Sequence, residues 1–261
     1  MKQIASRDNP TFKRLRALLE DGRYRRLEQA AVLDGVHLIE AARAAQCAIR
    51  RVVVTARALQ MQEIGRLVNA LAATGSEIIE MPEALLRALS PVETPSGILG
   101  EIAIPDAVSP SALGDVLVIE AVQDAGNLGT LLRTAAAVGI RRVWLSEHCA
   151  QAWSPKVLRA GMGAHFVLSI AEHVDLNAAL DGWQGKIIAT ALDVRSQDLF
   201  DLDLRPEAAW MFGSEGSGLS ASLIARATDL ARIPMPGGIE SLNVAAAAAV
   251  CLFEQLRQRK H

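Results

Sequence analysis

The sequence predicts an α/β protein in which a parallel sheet flanked by helices follows a smaller α/β domain. Apolar runs with strand composition alternate with stretches of helical spacing along the chain, and this alternation is typical of sheets covered by helices. Between Pro105 and Gly114 the periodicity is lost and turn-forming residues accumulate. A length of 261 residues suits two domains. We therefore predict a smaller first domain over residues 1–104, a linker over 105–114 and a second domain over 115–261.

The first hundred residues alternate short strands and helices. The predicted strands are 30–33, 52–55, 77–81 and 98–104, and the predicted helices are 36–45, 63–73 and 83–89. In the second domain, Val116 to Val122 is almost continuously apolar, as in a parallel strand that is buried on both faces. The elements predicted after it are a helix over 128–138, strands at 142–145, 166–170, 186–191, 209–212 and 230–233, and an alanine-rich helix over 241–257.

Charge and apolar content bear on whether the protein binds RNA, is exported or enters a membrane. The net charge is −2, but residues 1–26 carry an excess of five positive charges and the rest of the chain carries −7. Such a basic segment is more often a solvated face than an RNA site, so both interpretations stay open. The start of the chain has no apolar run of signal-peptide length, and the apolar stretch near the end is too short to span a bilayer. We expect a cytoplasmic protein without a membrane association.

Three loops that follow predicted strands are candidates for a ligand site. They cover residues 123–130, 212–220 and 233–244, and ligands of open parallel sheets bind beyond the carboxyl ends of the strands. The dinucleotide fingerprint, the P-loop and the hydrolase nucleophile elbow are all absent from the sequence. The three cysteines are far apart and form no Cys-x-x-Cys pair, so no metal site is predicted.

Each loop taken alone has a structural explanation. Asn127 could cap the following helix, Ser217 and Gly218 could form a turn, and Ser241 could cap the final helix. Helix capping does not require the further polar residues of these loops, which are Arg133, Glu215 and Asn243. Polar residues on three strand-end loops therefore predict a site.

Together the three loops closely resemble the three motifs of the SpoU (TrmH) family of RNA 2′-O-methyltransferases, within the SPOUT superfamily. The matching segments are Asn127-x-Gly129-Thr130 with Arg133-Thr134-Ala135, Gly213-Ser214-Glu215-Gly216-x-Gly218-Leu219, and Ile233-Pro234-Met235 followed by Ser241-Leu242-Asn243-Val244. Residues 33–41 and 93–99 are similar to the substrate-binding domain of the family. Ala125 stands where family members often carry proline. We interpret Gly35 and His37 as elements of the fold.

The resemblance implies a C-terminal trefoil knot of the SPOUT type, which general topology rules would have argued against. It also implies S-adenosylmethionine as the cofactor, without a metal, and a homodimer. The substrate that it implies is structured RNA, either ribosomal or transfer RNA, and the separate N-terminal domain favours large-subunit ribosomal RNA. In this interpretation the basic segment 1–26 contacts the RNA backbone.

The resemblance also assigns roles to individual residues. Arg133 is the catalytic arginine, and the residues that hold the RNA and orient Arg133 and the ribose are Asn127, Glu215, Ser241 and Asn243. The residues whose backbone contacts the cofactor are Gly213, Ile233 and Leu242. A guanidinium is almost always protonated, so we expect Arg133 to grip an RNA phosphate and to ease loss of the 2′-hydroxyl proton rather than to act as an ordinary base.

Two alternative predictions place the protein in a different functional class. The first is a catalytically inactive RNA-binding protein with the same fold, which would be expected to lack one of the chemical residues. The second is an enzyme that uses another nucleotide cofactor on a parallel sheet, and the missing dinucleotide fingerprint argues against it.

Overall fold

The computed structural model describes residues 1–90, 92, 94–107, 114–239 and 241–260. Glu93, Glu240 and residues 108–113 of the predicted linker lie outside the described residues. The chain forms two compact units. The first comprises Met1–Pro105 with Trp153–Phe166, and the second comprises Asp106–Ala152 with Val167–His261. The first unit thus includes a short segment from the later half of the chain.

Strands and helices alternate through both units. The strands are β1 Lys2–Gln3, β2 Ala30–Asp34, β3 Ile49–Val54, β4 Glu77–Glu80, β5 Ile98–Ala103, β6 Val116–Ile119, β7 Arg142–Leu145, β8 Ser169–Ala171, β9 Lys186–Thr190, β10 Gln197–Asp198, β11 Ala208–Phe212 and β12 Asp229–Arg232. The helices are α1 Pro10–Glu20, α2 Gly22–Glu28, α3 Val36–Ala44, α4 Ala56–Leu59, α5 Gln62–Ala73, α6 Glu83–Leu89, α7 Ala125–Val138, α8 Pro155–Gly161, α9 Leu176–Leu180, α10 Ala221–Ile224 and α11 Val244–Lys260.

The first unit is built on a five-stranded sheet with the order β1-β4-β3-β5-β2, in which β5 is antiparallel to both of its neighbours. Helix α1 begins at Pro10, and the Asn9 side chain accepts a hydrogen bond from the Thr11 amide at 2.9 Å. Its buried side chains, Phe12, Leu15 and Leu18, recur every third residue and pack on the sheet in one apolar cluster. This part of the chain thus combines a mixed sheet with packed helices.

The basic segment 1–26 is largely engaged inside the first unit. The cations with intramolecular partners are Lys2, Lys13, Arg14, Arg16 and Arg25. Arg14 donates at 2.9 Å to Glu101, a carboxylate that is 2% exposed, and Arg25 is itself buried and donates to the Leu18 carbonyl at 2.7 Å. The exposed pairs are weak, but the two arginines with buried partners serve the fold. This observation favours the structural interpretation of the segment.

The second unit contains a seven-stranded sheet with the order β10-β12-β9-β11-β6-β7-β8, and every strand pair in it is parallel. The predicted parallel sheet is therefore confirmed. All four residues of β6 are fully buried, as their continuous apolarity predicts. Helices α7 and α11 pack against each other. No described helix is long and apolar enough to cross a membrane.

Several predicted boundaries in the second unit are wrong: α7 begins at Ala125 rather than residue 128, and α11 ends at Lys260 rather than residue 257. Three further boundaries differ for local reasons. Strand β6 ends at Ile119 rather than Val122, because Ala121 has a φ of 56° and its amide donates to the Ser146 hydroxyl at 2.9 Å. The strand predicted at 166–170 is β8, at 169–171, since a 3-10 turn closes at Phe166. The final helix begins at Val244 rather than residue 241, since Asn243 caps it.

Candidate functional site

The three candidate loops leave the same edge of the parallel sheet. They follow β6, β11 and β12, and β6 is the direct neighbour of β11 while β9 alone separates β11 from β12. Because all of these strands are parallel, their carboxyl ends lie together. The loops therefore meet at one place, as the sequence predicts.

Side chains from all three loops are joined in a hydrogen-bonded row. The Asn127 side-chain amide donates to the Glu215 carboxylate, and the Asn243 amide donates to Asn127 Oδ1 at 2.9 Å. Glu215 is exposed and Asn127 is half-buried. The row joins residues that are 88 and 116 positions apart in sequence. We call Glu215, Asn127 and Asn243 the polar row.

The direction of the hydrogen bonds in this row is fixed by the N-terminal capping of α7 and α11. Asp124, rather than Asn127, caps α7, because its carboxylate accepts from the Asn127 amide at 2.7 Å. Asn243 caps α11 with Oδ1, which accepts from the Ala245 amide at 2.9 Å. Its Nδ2 is thereby turned towards Asn127, whose own Nδ2 must face the carboxylate. One end of the row accepts and the other donates, so neither asparagine can flip without losing hydrogen bonds.

Substitution of Asn243 by aspartate separates capping from the row. Aspartate keeps the oxygen that caps α11 but loses the donor to Asn127, so we expect the melting temperature to stay within about 2 °C while RNA methylation falls about 10- to 100-fold. Asn243→Ala removes both roles, and we expect it to lower the melting temperature as well. Thermal unfolding and methyl transfer measured on both variants test this expectation. Equal activity in Asn243→Asp and the unchanged chain would contradict it.

Arg133 and Ser241 lie outside the polar row. Arg133 is on α7, six residues after Asn127 and thus about 9 Å further along the helix axis. Both side chains are exposed, and within the described part of the chain neither forms a hydrogen bond or an ion pair. The exposed residues of α7, which are Gly126, Thr130, Arg133 and Ala137, form one stripe at helical spacing. Arg133 therefore presents a free guanidinium on a helix face lined by small side chains.

The path of the loop after β11 requires glycine at position 213. A Cβ atom at this position would lie 2.1 Å from the Gly218 carbonyl carbon and 2.3 Å from the Leu219 nitrogen. The loop turns tightly enough for Ser214 and Gly218 to form an isolated antiparallel bridge, with the Gly218 amide donating to the Ser214 carbonyl at 3.0 Å. The absence of a side chain at Gly213 thus serves loop closure. The turn suggested by Ser217 and Gly218 is present.

Gly213, Ile233 and Leu242 lie in the loops that follow β11 and β12. Ile233 is half-buried and Leu242 is 39% exposed, so the third loop offers apolar surface at the sheet edge. The same two loops contain glycines at which an added Cβ would meet no atom within 4 Å, namely Gly216, Gly218, Gly237 and Gly238. Loops of this composition leave backbone groups accessible and can accept a flat apolar ring.

Sequence reasoning missed two residues that build the site. Asp124 caps α7 and so releases the Asn127 side chain for the polar row. Aspartate is a common N-cap, so its place before the glycine-containing turn was a usable signal. Glu120 accepts from the Ser220 amide at 2.7 Å and ties the loop after β6 to the loop after β11. No local pattern marks a contact between residues that are 100 positions apart.

Comparison with known proteins identifies the family. The model of the SpoU rRNA Methylase family matches residues 115–253, which is more than half of the chain. The chain belongs to this family. Residues 9–100 match an MRM3-like substrate binding domain. The resemblance that the sequence motifs indicated is confirmed.

Similar proteins cover nearly the whole chain. It is 32% identical over 257 residues to the Bacillus subtilis 23S rRNA (guanosine(2553)-2′-O)-methyltransferase RlmP, covering 97% of this chain and 98% of that protein. An uncharacterized tRNA/rRNA methyltransferase of Synechocystis is 33% identical, over 98% of this chain and 94% of its own. An S-adenosylmethionine-bound rRNA methyltransferase from Sinorhizobium meliloti is 27% identical, with a TM-score of 0.86 over 98% of this chain and 97% of that one.

Two predictions are confirmed by these relatives. This SpoU-family member is an RNA ribose 2′-O-methyltransferase, and S-adenosylmethionine is its cofactor. The alternative of an inactive RNA-binding protein finds no support among them, and the polar row and the free Arg133 are both present. Because S-adenosylmethionine is the cofactor, the alternative of an enzyme that uses another nucleotide cofactor is not supported.

Proposed function

We propose that this enzyme methylates a ribose 2′-hydroxyl of large-subunit ribosomal RNA in the cytoplasm. The observation that carries the proposal is the polar row, because it joins the three family motifs through side chains at the sheet edge. A ribosomal rather than a transfer RNA substrate is supported by the full-length likeness to a 23S rRNA methyltransferase. The match of residues 9–100 to a substrate binding domain supports a substrate-binding role for the predicted domain 1–104, with catalysis in 115–261.

The chemistry divides between the cofactor and the chain. S-adenosylmethionine, when bound, supplies an activated methyl group for an in-line displacement. The chain must align the ribose and lower the cost of losing its proton. Arg133, exposed and free of intramolecular partners within the described residues, is available to grip a phosphate beside the target ribose. Its positive charge there stabilises the developing alkoxide, and the proton can leave to the phosphate.

The remaining predicted residues position the reactants. The polar row ends on the Glu215 carboxylate, which can accept from ribose or base donors that face the loop after β11. Ser241 is exposed in the third loop and offers a hydroxyl to the RNA. We assign contacts with the adenine and ribose of the cofactor to the backbone at Gly213, Ile233 and Leu242.

The proposed trefoil knot is supported by the order of the strands. After β9 the chain forms β10 at the edge of the sheet, returns to β11 on one side of β9 and then adds β12 on the other side, between β9 and β10. The last strand is thus inserted between two strands that precede it in the chain, and such an insertion is compatible with a knot. The helix α11 then returns to pack against α7.

The proposed homodimer is supported by apolar side chains on α11. Phe253 is 50% exposed, and the exposed Ala246 lies seven residues earlier on the same side of the helix. Phe253→Glu is expected to convert a dimer into a monomer, which light scattering after gel filtration will measure. Leu27→Glu is the matched control, since Leu27 is 78% exposed in the first unit. A monomeric mass for the unchanged chain at micromolar concentration would contradict the dimer.

The substrate class is tested by methyl transfer to RNA from cells that lack the protein. Tritiated S-adenosylmethionine is supplied together with either the 23S ribosomal RNA or the transfer RNA fraction. We expect label in the 23S fraction and only background in transfer RNA. Label in transfer RNA alone would overturn the ribosomal assignment while leaving the enzyme class intact.

A further inference from the structure

A cleft of about 740 Å³ lies within the first unit. Its apolar wall is formed by Val36, Ile64 and Leu86, which are buried side chains of α3, α5 and α6. This volume falls within the range of about 300–1,000 Å³ that is typical of small-ligand pockets. The cleft is therefore large enough for one nucleotide and too small for a double helix.

Three arginines on the lining of this cleft keep their donors available. Arg57, Arg87 and Arg159 are exposed, and within the described part of the chain their side chains form no hydrogen bond or salt bridge, although the charge of Arg159 acts on the Asp34 carboxyl group. The basic segment 1–26 differs, because most of its cations have intramolecular partners. Unpaired guanidinium groups match the geometry of phosphate oxygens and also stack on bases.

The lining of the cleft also contains hydrogen-bond acceptors. Asp34 lies on the lining, where burial raises the pKa of its carboxyl group, and it accepts a hydrogen bond from the Ser90 hydroxyl at 2.5 Å. Glu63 and Glu83 lie on the same lining. Three cations and three carboxyl groups do not make a general surface for polyanions. They suit a ligand that carries both a phosphate and hydrogen-bond donors, as a nucleotide with an amino-bearing base does.

The walls of the cleft are held in place without a ligand. Gly97 has a φ of 82°, and a Cβ atom there would lie 2.8 Å from the Ala58 Cβ and 2.9 Å from the Thr55 hydroxyl. The Thr55 amide donates to the Gly97 carbonyl at 3.0 Å, and its hydroxyl caps α4 by accepting from the Ala58 amide at 3.1 Å. A preformed site loses less entropy when it binds.

We propose that this cleft binds one unpaired nucleotide of the RNA substrate, with its phosphate on Arg57 and Arg87 and its base against the apolar wall. Asp34 accepts from an amino group of that base. Unpaired bases in loops and bulges are the parts of RNA that proteins recognise by stacking and hydrogen bonding. The proposal rests on the proposed function in one respect, namely that the substrate is RNA.

The test compares two double variants of equal charge. Arg57→Ala/Arg87→Ala removes the cleft arginines, and Arg43→Ala/Arg66→Ala removes two exposed arginines of the same unit that do not line the cleft. Filter binding of a 23S ribosomal RNA transcript is measured without S-adenosylmethionine over a series of salt concentrations. We expect the cleft variant to bind at least about tenfold more weakly, with a salt slope reduced by about 1 to 2. We expect the control to stay within about twofold. Equal weakening in both variants would overturn the proposal.

A third variant fills the cleft while keeping its charge. Ser96 is exposed on the lining, and Ser96→Trp is expected to weaken transcript binding to a similar extent. In methyl-transfer assays the cleft variants should raise the KM for RNA and leave kcat unchanged. Weaker binding together with absent methylation by the unchanged chain would refute the proposed function and support the cleft. Normal binding and normal KM in all cleft variants would refute the cleft alone.

Discussion

Arg133→Ala is expected to lower kcat for RNA methylation by about 10²–10³-fold, because a positioned charge at the developing alkoxide is lost. Affinity for S-adenosylmethionine and the melting temperature should stay unchanged. The side chain is exposed and has no partner within the described residues, so its removal leaves no buried group unpaired. Single-turnover methyl transfer and calorimetric cofactor binding measure the two effects separately.

Two further variants show which property of Arg133 matters. Arg133→Lys keeps the charge but not the planar fork that grips a phosphate, so we expect at least about a tenfold loss of kcat. Arg141→Ala is the control in the same unit, because Arg141 is exposed and, among the described residues, its side chain donates a single long hydrogen bond, of 3.5 Å, to the Val167 carbonyl. Retention of most of the turnover by Arg133→Lys would refute the phosphate grip.

Gly213→Ala is expected to abolish cofactor binding and to destabilise the second unit by about 1–3 kcal/mol, the usual range for an overpacked site. The added methyl group would overlap backbone atoms of Gly218 and Leu219, which cannot rotate away as a flexible side chain could. The loop after β11 must therefore open, and the Ser214–Gly218 bridge is lost. Denaturant unfolding and calorimetric titration with S-adenosylmethionine provide the two readouts.

A neighbouring glycine supplies the matched control. At Gly216 an added Cβ meets no atom within 4 Å, so Gly216→Ala should fold with a stability within about 0.5 kcal/mol of the unchanged chain. If both variants retained cofactor affinity, the requirement for glycine at position 213 would be wrong. If both lost affinity while folding normally, the open space at Gly216 would itself be part of the cofactor site.

The parallel sheet and the three motif loops could be predicted because their signals are local. The continuous apolarity of Val116 to Ile119 predicts a strand that is buried on both faces, and the glycine-containing loops follow strands in sequence. The boundary at Ala121 could not be predicted, because its positive φ is held by Ser146, a residue from the next strand-end loop. Local periodicity contains no information about such a contact.

The sequence could point to the three residues of the polar row, but not to the contacts that hold them in place. Asn127 and Asn243 were both recognised, yet the sequence suggested Asn127 and Ser241 as caps, whereas Asp124 and Asn243 cap the helices. Similarly, the charge of the basic segment was visible, but the engagement of Arg14 by Glu101 depends on a contact 87 positions away. Pairing over such separations is decided by the fold.

In the proposed reaction the methyl group is transferred to a ribose 2′-oxygen of 23S ribosomal RNA. The most direct measurement digests the methylated 23S RNA to nucleosides and locates the isotopically labelled methyl group by mass spectrometry. We expect all enzyme-dependent label on the ribose of one nucleoside, and no label when Arg133→Ala is used. Label on a base, or a labelled ribose of equal yield with Arg133→Ala, would contradict the account.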